Sequence, residues 1–278
     1  MLKSIIKELC PPVVLRAARA LRKTEPATTS AKVGFFGNYG SFDEALKDCG
    51  ADYQSDGILD ITRRNTEKIR ASDQAEISPV LAPFLSSFFL AISAVGRETV
   101  SVIDYGGALG AHYFHVRRLL PAKYKLRWMV VDLPRTASIG REVFGNEELS
   151  FADELDPSVD ADIVVASCVF QVLPRPHETI KQLLSIDASH FIFPLIPLTE
   201  LDDDRLTVEY VSPAVATMSI PHWFFSRRTI ESSLSSRQQI STWRHAEYTN
   251  PVDGKPCDYF GYHLVPIRGA ANDASNGL

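Results

Sequence analysis

An α/β architecture, a mostly parallel doubly wound sheet with helices on both faces, is what this sequence predicts, and three observations predict it. Apolar runs of strand length recur from residue 99 onward; the first leads at once into a glycine-rich turn and a helix; and the last two are joined by a Pro- and Gly-containing turn. A strand that returns to the same edge through a helix lies parallel to its predecessor, whereas a short turn closes an antiparallel pair.

Residues 1–24 carry six basic side chains against one acid, Glu8. Leu2, Ile5, Ile6, Leu9, Val13, Val14, Leu15, Ala18 and Leu21 lie between the charges, and Pro11-Pro12 interrupts them, so two short amphipathic helices are expected. The stretch is too broken to span a membrane and lacks the apolar core and cleavage site of a signal peptide. Peripheral docking on an anionic inner membrane leaflet is one expectation; packing on the body or disorder is the other. Residues 25–31 read as a linker, completing a first unit of 1–31.

Residues 32–98 lack the strand-glycine-helix rhythm and predict a helical cap. Ser41-Phe-Asp-Glu44 has the spacing of a capping box. Further helices are expected over Ile58–Ile69 and Pro79–Val95, with Phe84, Phe88 and Phe89 as core, and Phe35–Gly40 as a hinged flap. Residues 99–268 form the main domain, with 199–226 as an insertion too long for an ordinary loop, and 269–278 as a disordered tail.

Within the main domain the first strand, Ser101–Tyr105, ends in Asp104-Tyr105 and runs into Gly106-Gly107-Ala108-Leu109-Gly110 before a helix begins at Ala111. The spacing is D-x-G-x-A-x-G rather than the G-x-G-x-x-G of pyrophosphate-binding turns. An acid beside a side-chain-poor turn suits a cationic nucleotide-like ligand, and S-adenosylmethionine has that chemistry. A turn that uses glycine only for its backbone freedom is the plainer alternative. The second strand, Leu126–Asp132, ends in an acid about 20 residues past the turn, where a ribose-binding carboxylate is placed in such folds. Asp132 and the adjoining Leu133 are therefore assigned to the cofactor. A short third strand, Leu149–Asp153, brings Ala152 and Asp153 to the same edge. A fourth, Ala161–Cys168, brings Ser167, and is followed by Gln171 and a helix from about Pro176. Tyr113, with Gln171, is expected to line the cleft. The fifth strand spans His190–Leu195, and Ile240–Tyr248 with Tyr259–Pro266 reads as a closing hairpin.

These residues resemble a family of S-adenosylmethionine-dependent methyltransferases found in bacterial polysaccharide and lipopolysaccharide gene neighbourhoods. The matching stretches are Tyr39–Phe42, Asp104–Leu119, Leu126–Arg141, Ser167–Leu173, Asp204–Val208 and Trp223–Ser226, within about residues 35 to 266. The resemblance implies a class I, Rossmann-like methyltransferase fold with a seven-stranded, mostly parallel sheet. It also implies O-methylation of a sugar or glycan precursor in cell-surface polysaccharide biosynthesis. Two departures stand out: Phe193-Pro-Leu-Ile-Pro197 replaces a polar Asp-Arg-Thr-Pro stretch, and Ile220-Pro221 replaces Tyr-Pro. Either points to altered acceptor choice or lost catalysis.

Methyl transfer needs alignment and one base, and histidine suits the task near neutral pH. Residues 199–226 are expected to hold the acceptor, so His222 ranks first as base, His112 second and His177 third. Asp204 and Arg205 are candidates for orienting acceptor hydroxyls. Trp223 is a candidate for stacking on a sugar face, with core packing as its alternative. Glu200, Asp202, Asp203 and Asp204 cluster, but adjacent loop acids usually form a solvated face, so no metal is expected.

A 278-residue chain with 45% hydrophobic and 23% charged residues can bury one sizeable core. A formal net charge of −5 disfavours nucleic acid as a partner. Cys10, Cys49, Cys168 and Cys257 are scattered without a C-x-x-C, which argues against a disulfide framework and for a cytoplasmic setting. No G-x-S-x-G elbow is present, which disfavours an α/β-hydrolase. A nucleotide-dependent sugar oxidoreductase and a catalytically silent scaffold remain as alternatives, and a homo-oligomer stays open.

Overall fold

The computed structural model describes residues 33–50, 54–74, 77–156, 158–211, 218–252 and 255–267. The basic segment and linker, and the tail at 269–278, lie outside the described residues. The strands are β1 (Gly34–Phe36), β2 (Thr99–Tyr105), β3 (Lys125–Val131), β4 (Leu149–Ala152), β5 (Ala161–Ala166), β6 (Ala188–Thr199), β7 (Arg205–Tyr210), β8 (Ser219–Ser226), β9 (Arg237–Val252) and β10 (Lys255–Pro266). The helices are α1 (Phe42–Leu46), α2 (Asp56–Ala71), α3 (Leu81–Val95), α4 (Ala111–Leu119), α5 (Pro134–Val143), α6 (Pro176–Leu184) and α7 (Arg227–Leu234).

Strands β4-β3-β2-β5-β6 are parallel in that spatial order. β10 pairs antiparallel to β6 and β9 antiparallel to β10, so the expected closing hairpin is present. The order reverses between β2 and β5, which opens a crevice at their carboxyl ends. Alternation through the sheet divides the core. Val102, Ile163 and Val165 face one way, with residues of α3, α4 and α5. Ile103, Val164 and Ala166 face the other, with residues of α6 and α7. β5 is buried along its whole length, which explains the apolar run Ile163–Ala166; its one acid, Asp162, accepts from the Ser101 amide at 2.8 Å.

The sheet has ten strands, not the seven expected. β1, β7 and β8 form an antiparallel extension joined to the main sheet where Leu198 and Thr199 of β6 face Phe225 and Ser226 of β8. The cause is the length of β6: it pairs with β5 only over its first residues, through the Val165–Ile192 pair, and runs on past the end of β5. At its far end Leu198 and Thr199 need partners on that side, and β8 supplies them. The insertion at 199–226 is therefore largely strand.

The cap is likewise not purely helical. Phe35 and Phe36 pair with Glu209 and Val208 as an edge strand, so the stretch read as a flap is built into the sheet. The first half of the capping box forms as expected, the Ser41 hydroxyl accepting from the Glu44 amide at 3.2 Å, while the Glu44 carboxylate accepts instead from the amide of Gly40, one residue before the cap, at 2.9 Å. α2 and α3 stand where the two later helices were expected, and Phe84 and Phe88 are fully buried, with Phe89 packed against the same cluster.

Candidate functional site

A cavity of about 810 Å³ occupies the crevice at the carboxyl ends of β2, β3 and β5. Tyr105, Gly106, Ala108, Val131 and Asp132 line it, with Leu133, Asp153 and Glu154. Residues of α1, α2 and the start of β8 cover it. The cover is tied down on two sides. The Gly50 amide donates to the Ser219 hydroxyl at 2.8 Å, and Arg135 at the start of α5 bonds to Gln54 and Asp56 at the start of α2.

The glycine turn is shaped by close approach. Gly106 has φ 70°, and a Cβ there would lie 2.4 Å from Val169 Cγ2. Ala108 and Cys168 hold left-handed backbone at φ 51° and 55° without being glycine, and both line the cavity. Backbone strain of this kind collects at functional sites, where surrounding structure enforces it. Here the enforcement is visible: the Ala108 amide donates to Asp132 Oδ2 at 2.9 Å, and the Leu133 amide to Oδ1 at 2.8 Å. Burial raises the Asp132 carboxyl above its usual range, against these amides and the Thr136 hydroxyl, which lower it. With three donors on its four lone pairs, the carboxylate keeps one for a ligand hydroxyl. Leu133 is 44% exposed at the rim, apolar surface that a flat ring can cover.

Among the predicted cofactor residues, Gly106, Ala108, Asp132, Leu133 and Asp153 line the cavity. Asp104 does not. Alternation along β2 turns it inward, where it is fully buried and accepts from Trp128 Nε1 at 3.2 Å, with His112 Nδ1 also at 3.2 Å. Its carboxyl therefore braces the turn from beneath rather than facing a ligand: a Cβ on Gly107 would meet Asp104 Cγ at 2.5 Å. Gly110 opens α4 and packs toward Leu149. Tyr113 points away, its hydroxyl 3.1 Å from Glu148, and burial with the Glu148 charge pushes it up to about 12. Ala152, Ser167 and Gln171 stand outside the lining; Gln171 donates to Cys168 Sγ at 2.8 Å and so supports the strained residue.

The four proposed catalytic residues also fall outside the lining. His222 is fully buried on β8 between the rings of Phe35 and Phe224, each 4.7 Å away, and burial pushes it down to about 3. His112 lies behind the turn with Asp104 and against Phe84. Asp204 accepts from the Ser226 amide at 2.8 Å and the Thr229 hydroxyl at 2.7 Å, and lies 2.6 Å from His177 Nε2. It caps α7 and latches it to α6. Against burial, which raises it, these hydrogen bonds hold the Asp204 carboxyl below its ordinary range. Arg205 opens β7 opposite Phe224. Trp223 donates to the Leu173 carbonyl at 3.1 Å and packs in the core.

Sequence reasoning missed the cover: Phe42 and Leu46 on α1, Ile58, Leu59 and Thr62 on α2, and Ser219–Pro221. The available signal was helical spacing: Phe42 with Leu46, and Ile58 with Thr62, fall four apart and share a face. Among the described residues no three His, Cys, Asp or Glu side chains are grouped to hold a metal ion, and no helix is long and apolar enough to cross a membrane.

No family model and no curated protein matches the chain. Solved structures that it resembles include the N-terminal domain of EvdMO1, in the presence of S-adenosylhomocysteine and D-fucose, at 12% identity over 78% of this chain and 100% of that one, TM-score 0.46. Another is 1,6-didemethyltoxoflavin-N1-methyltransferase from Burkholderia thailandensis, at 14% identity over 88% and 100%, TM-score 0.46. A third is the magnesium protoporphyrin IX methyltransferase of Synechocystis PCC 6803 with bound S-adenosylhomocysteine, at 14% identity over 78% and 97%, TM-score 0.46. Likenesses of this degree carry no part of the functional reading.

Proposed function

We propose that the protein is an S-adenosylmethionine-dependent methyltransferase. One observation carries the reading: the D-x-G-x-A-x-G turn and Asp132 meet at the switch-point crevice, joined by the Ala108–Asp132 hydrogen bond, and open into a cavity of about 810 Å³. These residues fit the cofactor. Asp132 is placed to take ribose hydroxyls, the turn admits a ligand close to its backbone, and Leu133 with Asp153 offers an apolar surface beside an acceptor for an adenine ring. When bound, S-adenosylmethionine supplies a methyl group on a positively charged sulfur. The chain's own part is to hold the donor and acceptor in line and exclude water beneath α1 and α2.

The finer proposal, O-methylation of a sugar or glycan precursor at the inner membrane face, is supported by the residue resemblance alone. The test is calorimetric titration with S-adenosylmethionine and S-adenosylhomocysteine, with NAD and a UDP-sugar in parallel. Saturable binding of the first pair alone is expected. Binding of NAD alone favours the oxidoreductase reading, and cofactor binding without turnover on any acceptor favours the scaffold.

A further inference from the structure

We propose that Glu209 and His222 form a second ligand site, closed beneath β1, that takes a primary ammonium group carried on an aromatic body. The site is independent of the cofactor reading above. Strand register brings it together. Residues opposite one another on antiparallel strands share a face, and so do alternate residues along one strand. Phe35 of β1 lies opposite Glu209 of β7, while His222 of β8 lies opposite Thr207, two residues from Glu209. Phe35, Glu209 and His222 therefore stand on one face of the three strands, and Phe224, two residues from His222, joins them.

Both polar side chains are fully buried. Neither oxygen of Glu209 and neither ring nitrogen of His222 has a hydrogen-bond partner among the described residues. Buried groups left in that state are few in folded proteins, and they mark a place for a ligand, an ion or water. Charge separates these occupants. Burial raises the Glu209 carboxyl well above its ordinary range, the mark of a carboxylate that the fold does not pair with a cation. Water brings no counter-charge. A metal ion fits poorly, because no three His, Cys, Asp or Glu side chains group to hold one among the described residues. An ammonium group brings both the missing charge and three N–H donors, which the Glu209 oxygens and a His222 nitrogen can accept. The surroundings suit an aromatic body. The rings of Phe35 and Phe224 each lie 4.7 Å from the His222 ring and 4.8 Å from each other, and ring faces attract a cation as well as another ring.

β1 is the way in. It is an edge strand of three residues, paired with β7 along its whole length. Gly34 and Gly37 hold φ of 113° and 86°, left-handed values that place a glycine at each end of Phe35-Phe36. So short a pairing between two such residues can open without disturbing β7 or β8, and Phe35 then leaves the His222 ring.

The test is calorimetry of the full chain with phenethylamine, 2-phenylethanol and 3-phenylpropionate near neutral pH, with amide hydrogen exchange across residues 33–38 followed for each. The amine should bind saturably, and the alcohol and the acid should not. Glu209→Gln keeps the shape of the side chain and removes its charge, and should weaken the amine at least tenfold. His222→Phe keeps a ring between Phe35 and Phe224, should also weaken the amine, and gives the readout if Glu209→Gln does not fold. Exchange across 33–38 should slow at least tenfold as β1 settles on the bound amine, a response that a merely structural pair would not give. Failure of the amine to bind, equal binding of the alcohol, indifference to both substitutions, or exchange at 33–38 unmoved by the amine would overturn the proposal.

Discussion

Asp104 and Asp132 belong to the same sequence signature, yet the structure gives them separable tasks, and two substitutions distinguish them. Asp104→Ala removes the acceptor for Trp128 Nε1 and the partner of His112 Nδ1, both inside a fully buried site. Each orphaned buried group costs about 1–3 kcal/mol, so about 2–6 kcal/mol is expected. At about 2–4 °C per kcal/mol for a domain of this size, the Tm should fall by about 4–24 °C. Asp132→Ala frees two amides and the Thr136 hydroxyl at a half-buried rim that water reaches, so stability should fall less than in Asp104→Ala, by about 1 kcal/mol. S-adenosylhomocysteine affinity should instead fall by about 1.5–3 kcal/mol, through loss of charge-assisted bonds to ribose. Urea unfolding of both variants, with calorimetry on the folded protein, provides the comparison. If Asp104→Ala is as stable as the parent but binds weakly, the carboxyl faces the ligand after all and the bracing role is wrong.

Burial depresses His222 and His115 to about 3, and His245 and His263 to about 4. All are neutral in the fold, while the unfolded chain binds protons below about pH 6.5. Stability should therefore be full above that value and decline as pH falls toward 4, read as a lower urea midpoint at pH 5 than at pH 7.5. His222→Phe should flatten this slope, and an unchanged slope would show that His222 is not buried neutral. Asp204→Ala removes the cap of α7 and the latch to His177, costing about 1–3 kcal/mol with cofactor affinity unchanged. Because its folded carboxyl lies below the ordinary range, its contribution is present above about pH 4 and disappears as pH falls through the folded value, so the variant should lose less stability in acid than the parent. Gly106→Ala would drive a Cβ into Val169 at a left-handed position and should abolish cofactor binding. Gly57→Ala in α2 meets nothing within 4 Å and should stabilise by about 0.5–1 kcal/mol in thermal unfolding.

The parallel strands, the glycine turn and Asp132 were legible in the sequence because their signals are local. An apolar run of strand length, a turn that admits no Cβ and an acid at a strand end all lie within a few consecutive residues. The direction of a side chain was already less legible. Asp104 sits in the motif, and alternation along β2 points it inward, but only the neighbouring strand shows that Trp128 is there to bond that carboxyl. His222 stood in the stretch expected to hold the acceptor. It lost that role because Phe35, nearly two hundred residues away in sequence, closes over its ring.

Tertiary structure alone decided the extension of the sheet and the cover of the cavity. β7 and β8 are strands because β6 outruns β5 and leaves backbone groups to be paired, a requirement not written in residues 199–226 themselves. The cover of the cavity joins Phe42, Ile58 and Ile220, three apolar residues whose local patterns do not say that they meet. What they enclose follows from how α1, α2 and β8 pack together. Sequence by itself determined where a nucleotide-like ligand meets the backbone, through short-range geometry; non-local packing determined which side chains meet what lies beside it.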